Sequence, residues 1–210
     1  DKAKSRFFSN ISHELRTPLT LLLTPLQESI SMSKSKAQKE HLELAHSNGK
    51  KLLTLINEIL DLSKLESGNM NLKETSVHLE KLLRRILFSY QSLANLRSFN
   101  LSLSYHLPAD LAVKLDIDKF EKILNNLISN AFKHSREEGV ITLRALKVDK
   151  DILQIEVEDQ GKGIAPEEMS KVFDRFYQIE EEDEPLQGGT GIGLAYAKEL
   201  ALLFGGDLIV

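Results

Sequence analysis

Apolar residues recur at helical spacing from Phe7 to Glu66, broken by a Ser/Lys-rich stretch from Ser29 to Lys36 where helix propensity falls. This pattern predicts a helical hairpin. On the first arm Ile11, Leu15, Leu19, Leu22 and Leu26 form one stripe. On the second, Leu42, Ala45, Gly49, Leu52, Ile56 and Ile59 alternate by three and four, the period of a bundle seam. Two such arms cannot bury their stripes alone, so the pair is expected to complete a four-helix bundle with a second copy, making a homodimer. The helical pattern stops at Glu66-Ser67-Gly68-Asn69, where Gly68 and Asn69 suit a C-terminal cap.

From about Met70 the pattern changes. Short alternating segments (Leu101 to Tyr105, Val140 to Arg144, Leu153 to Val157) alternate with helical ones (Leu79 to Leu93, Asp118 to His134, Gly191 to Phe204). That mixture predicts an α+β sandwich with helices on one face of a mostly antiparallel or mixed sheet. The expected organisation is a helical domain over residues 1–68, a linker over 69–76 and an α+β domain over 77–210. The run from Gly205 to Val210 reads as a turn and the opening of a strand without its partner, so the second domain is expected to be truncated.

Composition narrows the field. Of 210 residues 41% are hydrophobic and 28% charged, as in a folded protein, and the net charge of −4 gives no general reason to bind nucleic acid. Any polyanion must therefore be held by a local site. With no cysteine there is no disulfide framework or thiolate metal site, which favours a reducing compartment. No stretch has the length of a membrane span and the first residues are no signal peptide, so a membrane anchor is expected only in parts outside this chain.

Two stretches carry candidate chemistry. In the first, His13 lies two residues from Ile11 and Leu15, about 200° around the helix from each, so it is expected to face solvent with Thr17 one turn on. Pro18 and Pro25 each remove an intrahelical donor and loosen the backbone just beyond it. In the second, Asn126, Asn130, Lys133 and His134 share one helix face and Leu124, Leu127, Ile128 and Ala131 the other. A solvated face explains Lys133 well but two stacked asparagines poorly, because Asn is a weak helix former. No G-x-x-x-x-G-K-[ST] string exists, which excludes a Walker-type ATPase.

Further along, the period of two in Leu153-Gln-Ile-Glu-Val-Glu-Asp159 sends Asp159 inward, where a carboxylate needs donors. Gly161 and Gly163 follow it and permit a tight turn. Gln187-Gly188-Gly189-Thr190-Gly191-Ile192-Gly193-Leu194 opens an apolar helix, an arrangement of free N–H groups that suits an anion. Glu180 to Glu184 form an acidic run before it. His41, His46, His78 and His106 have no metal-site spacing.

These strings, in this order, resemble sensor histidine kinases of two-component systems. Phe8 to Leu19 resembles the H-box, and Asp118 to His134 resembles the N-box shared with gyrase-type ATPases. Leu153 to Ile164 is similar to the first glycine box, Phe173-Asp-Arg175-Phe-Tyr177 to the F-box, and Gln187 to Leu194 to the second glycine box beyond a lid that begins at Gln178. The resemblance implies an all-α hairpin, dimeric as a four-helix bundle, followed by an α+β sandwich of the histidine kinase/gyrase-type (Bergerat) kind.

It further implies ATP and Mg²⁺ as cofactors and autophosphorylation on His13, with Glu14 holding the imidazole tautomer and Thr17 orienting water for hydrolysis of a phosphorylated partner. By position, Asn130 would ligate Mg²⁺, Asn126 would line the site with His134, and Lys133 would contact phosphates. Asp159 would accept from the adenine amine beside Gly161, Gly163 and Ile164. Arg175 would reach the terminal phosphate, and Gly189, Thr190, Gly191, Gly193 and Leu194 would cradle it. The implied partner is a response-regulator receiver domain, and the implied setting is the cytoplasmic side of a bacterial inner-membrane protein. A nucleotide-binding scaffold without transfer activity and an ATP-driven conformational machine are the alternatives; the second has no use for an H-box.

Overall fold

The computed structural model describes residues 2–33, 35–136, 138–179 and 191–210, with residues 2–14 described by backbone alone. The chain divides into two units: residues up to Asn71, to which Gly191 and Ile192 are assigned, and otherwise the residues from Leu72 onward.

The first unit is a hairpin of α1 (Lys2–Met32) and α2 (Lys36–Glu66). Helix α1 runs unbroken through Pro18 and Pro25. The Ser35 side chain caps α2 by accepting from the Gln38 N–H. At the other end Gly68 has φ +65°, its N–H donates to the Leu65 carbonyl at 3.0 Å, and the Asn69 N–H donates to the Lys64 carbonyl at 3.0 Å. This is the Schellman arrangement expected of a glycine just past a helix end.

The seam between the arms differs from the expected one by a rotation. Leu19, Leu23, Leu26 and Ile30 of α1 turn inward, as do Leu42, His46, Gly49, Leu53, Ile56 and Leu60 of α2, whereas Leu15, Leu22, Ala45 and Leu52 are exposed. A Cβ on Gly49 would lie 2.7 Å from Cδ2 of Leu23, so the arms approach closely there, and Arg16 Nε donates to Asn57 Oδ1 at 3.1 Å. The apolar stripe of each arm is wider than one helix contact can cover. The pair uses one edge of it and leaves the other, about 100° away, uncovered.

The second unit contains β1 (Thr75–His78), α3 (Leu79–Ser89), α4 (Gln91–Leu96), β2 (Asn100–Tyr105), β3 (Ala112–Leu115), α5 (Ile117–His134), β4 (Val140–Asp149), β5 (Ile152–Glu158) and α6 (Gly193–Leu203). A short 3-10 turn covers Lys171–Phe173. Strands β2, β4 and β5 form a mixed sheet, β2 parallel and β5 antiparallel to β4, and β1 pairs antiparallel with β3. The chain passes from β2 to its parallel neighbour through α5, which lays its apolar side on the sheet. Leu124, Ile128, Ala131 and Phe132 join Ile141 and Leu143 in one core. The predicted helix from Leu79 to Leu93 is two helices broken at Tyr90, and β1 and β3 are too short for periodicity to reveal. After the turn at Gly205, with φ +76°, residues 206–210 form no strand, contrary to expectation. Among the described residues no helix is long and apolar enough to cross a membrane.

Asp116 caps α5 and is 4% exposed. Its Oδ1 accepts from the Lys119 N–H at 3.2 Å, and its Oδ2 accepts from Lys119 Nζ at 2.6 Å and from the Lys73 N–H at 2.8 Å. Burial by itself raises the carboxyl pKa, but the Lys119 ammonium and the two backbone donors outweigh it and hold the group below the usual carboxylate range. The folded value thus lies below the unfolded one of about 3.9, so the contribution to stability is complete above that pH and is lost as pH falls through the folded value. Asp116→Asn is expected to cost about 1–3 kcal/mol at pH 7. In circular-dichroism melts the gap from wild type should narrow below about pH 4; a gap independent of pH would show that the negative charge contributes nothing.

Candidate functional site

The site is organised along α5. Its N-terminal cap is Asp116, and its last turn carries the basic residues Lys133 and His134, at the negative end of the helix dipole. One side is sealed against the sheet. The other presents Asn126, Asn130 and Lys133, all half-buried, and His134, which is exposed. Asn126 Nδ2 donates to the Lys122 carbonyl at 3.0 Å, which fixes the amide and leaves its oxygen directed outward from the helix. Partial burial pulls the Lys133 ammonium below its ordinary range. A lysine placed this way is poorly solvated and gains more from an anionic ligand than a surface lysine would.

Two glycine segments close on this face from either end. The turn after β5 meets the C-terminal end of α5 through an antiparallel bridge between Ser135 and Gly161. A Cβ on Gly161 would stand 2.6 Å from the His134 carbonyl oxygen and 2.7 Å from Asp159 Oδ1, so no larger residue fits without moving backbone. At the other end the first residue of α6, Gly193, comes so near Asn126 that a Cβ there would lie 2.4 Å from its Oδ1. Helix α6 is held to α5 by Lys122, whose Nζ donates to the hydroxyl of the buried Tyr196 at 3.2 Å.

Asp159 does not point inward. Strand β5 ends at Glu158, so the period of two stops one residue early, and Asp159 is exposed with Oδ1 accepting the Gly161 N–H at 2.7 Å. The carboxylate stands at the mouth of the turn, where its second oxygen can take a further donor. Gly163, with φ +75°, and Ile164 line an open depression of about 380 Å³ together with Lys162, Ala165, Glu168 and Ile179. Tyr177 donates its hydroxyl proton to Glu168 at the rim.

In the F-box, Phe173 is half-buried under the Lys198 ammonium, 5.1 Å from its ring centroid, and Phe176 is 66% exposed. Arg175 is exposed. Gly191 has φ +65° and Leu194 sits half-buried in the first turn of α6. Gly189, Thr190 and the acidic run Glu180 to Glu184 lie outside the described residues. In the first unit Thr17 is exposed on α1, whereas the side chains of His13 and Glu14, and so the expected orientation of His13, lie outside what is described.

Two polar residues escaped the sequence reading. Ser135 has a buried Oγ with no hydrogen-bond partner, beside the Gly161 bridge. Asp116 was detectable as an Asp three residues before Lys119 at a helix start, a capping signal.

The donor set fits a magnesium nucleotide. Amide oxygens of Asn suit a hard cation that keeps most of its waters, the two cradles at Gly161 and Gly193 admit close backbone approach, and Lys133 and the positive dipole end of α6 suit phosphates.

Residues 3–68 match the family model His Kinase A (phospho-acceptor) domain, and residues 115–210 match Histidine kinase-, DNA gyrase B-, and HSP90-like ATPase. The chain is 38% identical over 99% of its length to histidine kinase P4 of Formosa agariphila and 35% identical over 100% to hybrid signal transduction histidine kinase D of Dictyostelium discoideum. It is 34% identical over 99% to sensor histidine kinase WalK of Bacillus subtilis. It spans 15%, 14% and 34% of those relatives, respectively. Among solved structures, full-length ShkA in complex with AMPPNP superposes with a TM-score of 0.79 at 26% identity, covering 97% of this chain and 43% of that one. The histidine kinase AdeS of Acinetobacter baumannii shares the fold, with a TM-score of 0.62 at 22% identity over 91% of this chain and 86% of that one.

The two glycines should fail differently when substituted. Gly193→Ala meets only the end of the Asn126 side chain, so it should displace the amide and weaken ATP binding about tenfold while leaving the melting temperature nearly unchanged. Gly161→Ala meets backbone, so it should cost about 1–3 kcal/mol of stability as well as affinity. Calorimetric titration and thermal melts of both variants check this; equal stability losses would remove the distinction.

Proposed function

The chain belongs to the sensor histidine kinases, and on that premise we propose that it transfers the γ-phosphoryl group of ATP to His13 and passes it on to an aspartate of a response-regulator receiver domain. The observation that carries this reading is the convergence of the Gly161 turn and the Gly193 helix start on the Asn126–His134 face of α5, in a chain that also carries the His13-Glu14-Leu-Arg-Thr17-Pro18 string.

Asp159 accepts the adenine amine at the turn of Gly161, Gly163 and Ile164. Asn126 and His134 line the phosphate channel, Lys133 and Arg175 neutralise phosphate charge, and Gly189, Thr190, Gly191, Gly193 and Leu194 offer backbone donors at the head of α6. Asn130 would hold Mg²⁺, which would supply charge neutralisation on the phosphates. These residues position and neutralise, which is most of what phosphoryl transfer asks of a protein.

His13 attacks as neutral imidazole. Glu14 accepts the second ring proton's hydrogen bond, fixing the tautomer and balancing the charge that develops on the ring. Thr17 orients water when the phosphorylated partner is hydrolysed. The uncovered edge formed by Leu15, Leu22, Ala45 and Leu52 supports a homodimer in which two hairpins form a four-helix bundle. We assign residues 1–68 to dimerisation and phosphotransfer, 69–76 to the linker and 77–210 to ATP binding. The parent protein carries the membrane anchor elsewhere and works from the cytoplasmic side.

Incubation with γ-labelled ATP and mapping of the acid-labile phosphate should find label on His13. His13→Gln should take up none while binding ATP with unchanged affinity, and residual label would identify a different acceptor. Glu14→Gln should slow labelling about 10²-fold; a near-normal rate would reduce Glu14 to a surface charge. Thr17→Ala should leave labelling intact and slow only receiver dephosphorylation, and equal loss of both would indicate damage to the helix at Pro18.

A further inference from the structure

Among the described residues Asp116 is the one buried charged side chain, and it holds more donors than a helix cap requires. Capping α5 uses the Lys119 N–H on Oδ1, and the Lys119 ammonium on Oδ2 balances the charge, both from within the first turn. The third donor is of another kind. The Lys73 N–H reaches Oδ2 at 2.8 Å from 43 residues away, in the segment that leads into β1. The strand ladder brings it there: Thr75 of β1 pairs with Leu115 of β3, and Leu115 is followed directly by Asp116. One carboxylate thus ties the incoming chain to the root of the helix that carries Asn126, Asn130 and Lys133.

We infer that Asp116 and the Lys73 N–H form a positioning latch through which the segment entering the second unit sets the placement of α5, and with it the rate of phosphoryl transfer, without touching nucleotide. The inference rests on the function proposed above. Asp116 stands ten residues before Asn126, about 15 Å along the axis at 1.5 Å per residue, too far for contact with the phosphates. An intact helix moves as a rod, however, so a shift at its cap is passed to both asparagines together. The carboxylate end of the latch is buried, and a backbone donor cannot swing away as a side chain would.

The test separates cap from latch. Lys73→Pro removes the N–H and fixes the local φ, in a segment without helix or strand, and alters neither of the Lys119 donors to Asp116. Lys73→Ala keeps the N–H and serves as control. In the full chain Lys73→Pro should bind an unreactive ATP analogue within about twofold of wild type yet phosphorylate His13 at least about fivefold more slowly in a single turnover, while Lys73→Ala behaves as wild type. Asp116→Asn provides a second route, because a single amide oxygen serves the cap and cannot also hold Lys73. It should show the same split, and the double variant should be no slower than either single one.

Amide exchange gives a readout independent of activity: Lys73 should be protected in wild type and lose protection in Asp116→Asn. Unchanged rates in Lys73→Pro, a parallel loss of affinity and rate, or a Lys73 amide that exchanges freely in wild type would each overturn the latch. Absence of label on wild-type His13 would instead count against the kinase reading, and the exchange result would still decide the contact.

Discussion

Helix α5 must satisfy two environments at once, and the second unit is built around that constraint. Its inner side supplies Leu124, Ile128, Ala131 and Phe132 to the core, where Phe132 meets Phe99 edge-on at 5.1 Å and stacks on Tyr90 at 5.7 Å. Its outer side carries groups that add little to the stability of the helix. Asn126 and Asn130 are weak helix formers, and Lys133 is partly buried at a cost to its charged form. The apolar side holds the helix in place, which leaves the polar side available to a ligand.

The glycine segments have meaning only in relation to this helix. Gly161 is glycine because the His134 carbonyl is against it, and Gly193 is glycine because the Asn126 amide is against it. Neither position needs glycine for turn formation alone: among the described glycines of these segments, positive φ is found at Gly163 and Gly191. Close approach and backbone freedom are thus divided between different residues of the same boxes, and together they bring two loops distant in sequence onto one face.

The helices with strong periodicity, the three longer strands and the polar face of α5 were legible because each repeats a pattern over many residues. What escaped notice was short or relational. Strands β1 and β3, of four residues each, offer too few positions for alternation to register. Asp159 was misdirected by extending a period of two past the end of β5, where an Asx-type bond to the Gly161 N–H takes over. The hairpin stripes were correct in kind but rotated, because a stripe broad enough for two contacts does not say which edge each partner covers. The Lys73 contact of Asp116 joins residues that only the strand pairing brings together, and no local pattern announces it.

The central claim is that one face of α5, with the Gly161 turn and the head of α6, forms the nucleotide site. Titrating the ¹⁵N-labelled chain with Mg²⁺ and an unhydrolysable ATP analogue tests it most directly. The largest amide shifts should fall on Asn126, Asn130, Lys133, His134, Gly161, Gly163 and Gly193, with α3 and α4 nearly unmoved. Saturable shifts centred on α3 and α4, or no shifts along α5 at saturating analogue, would contradict it.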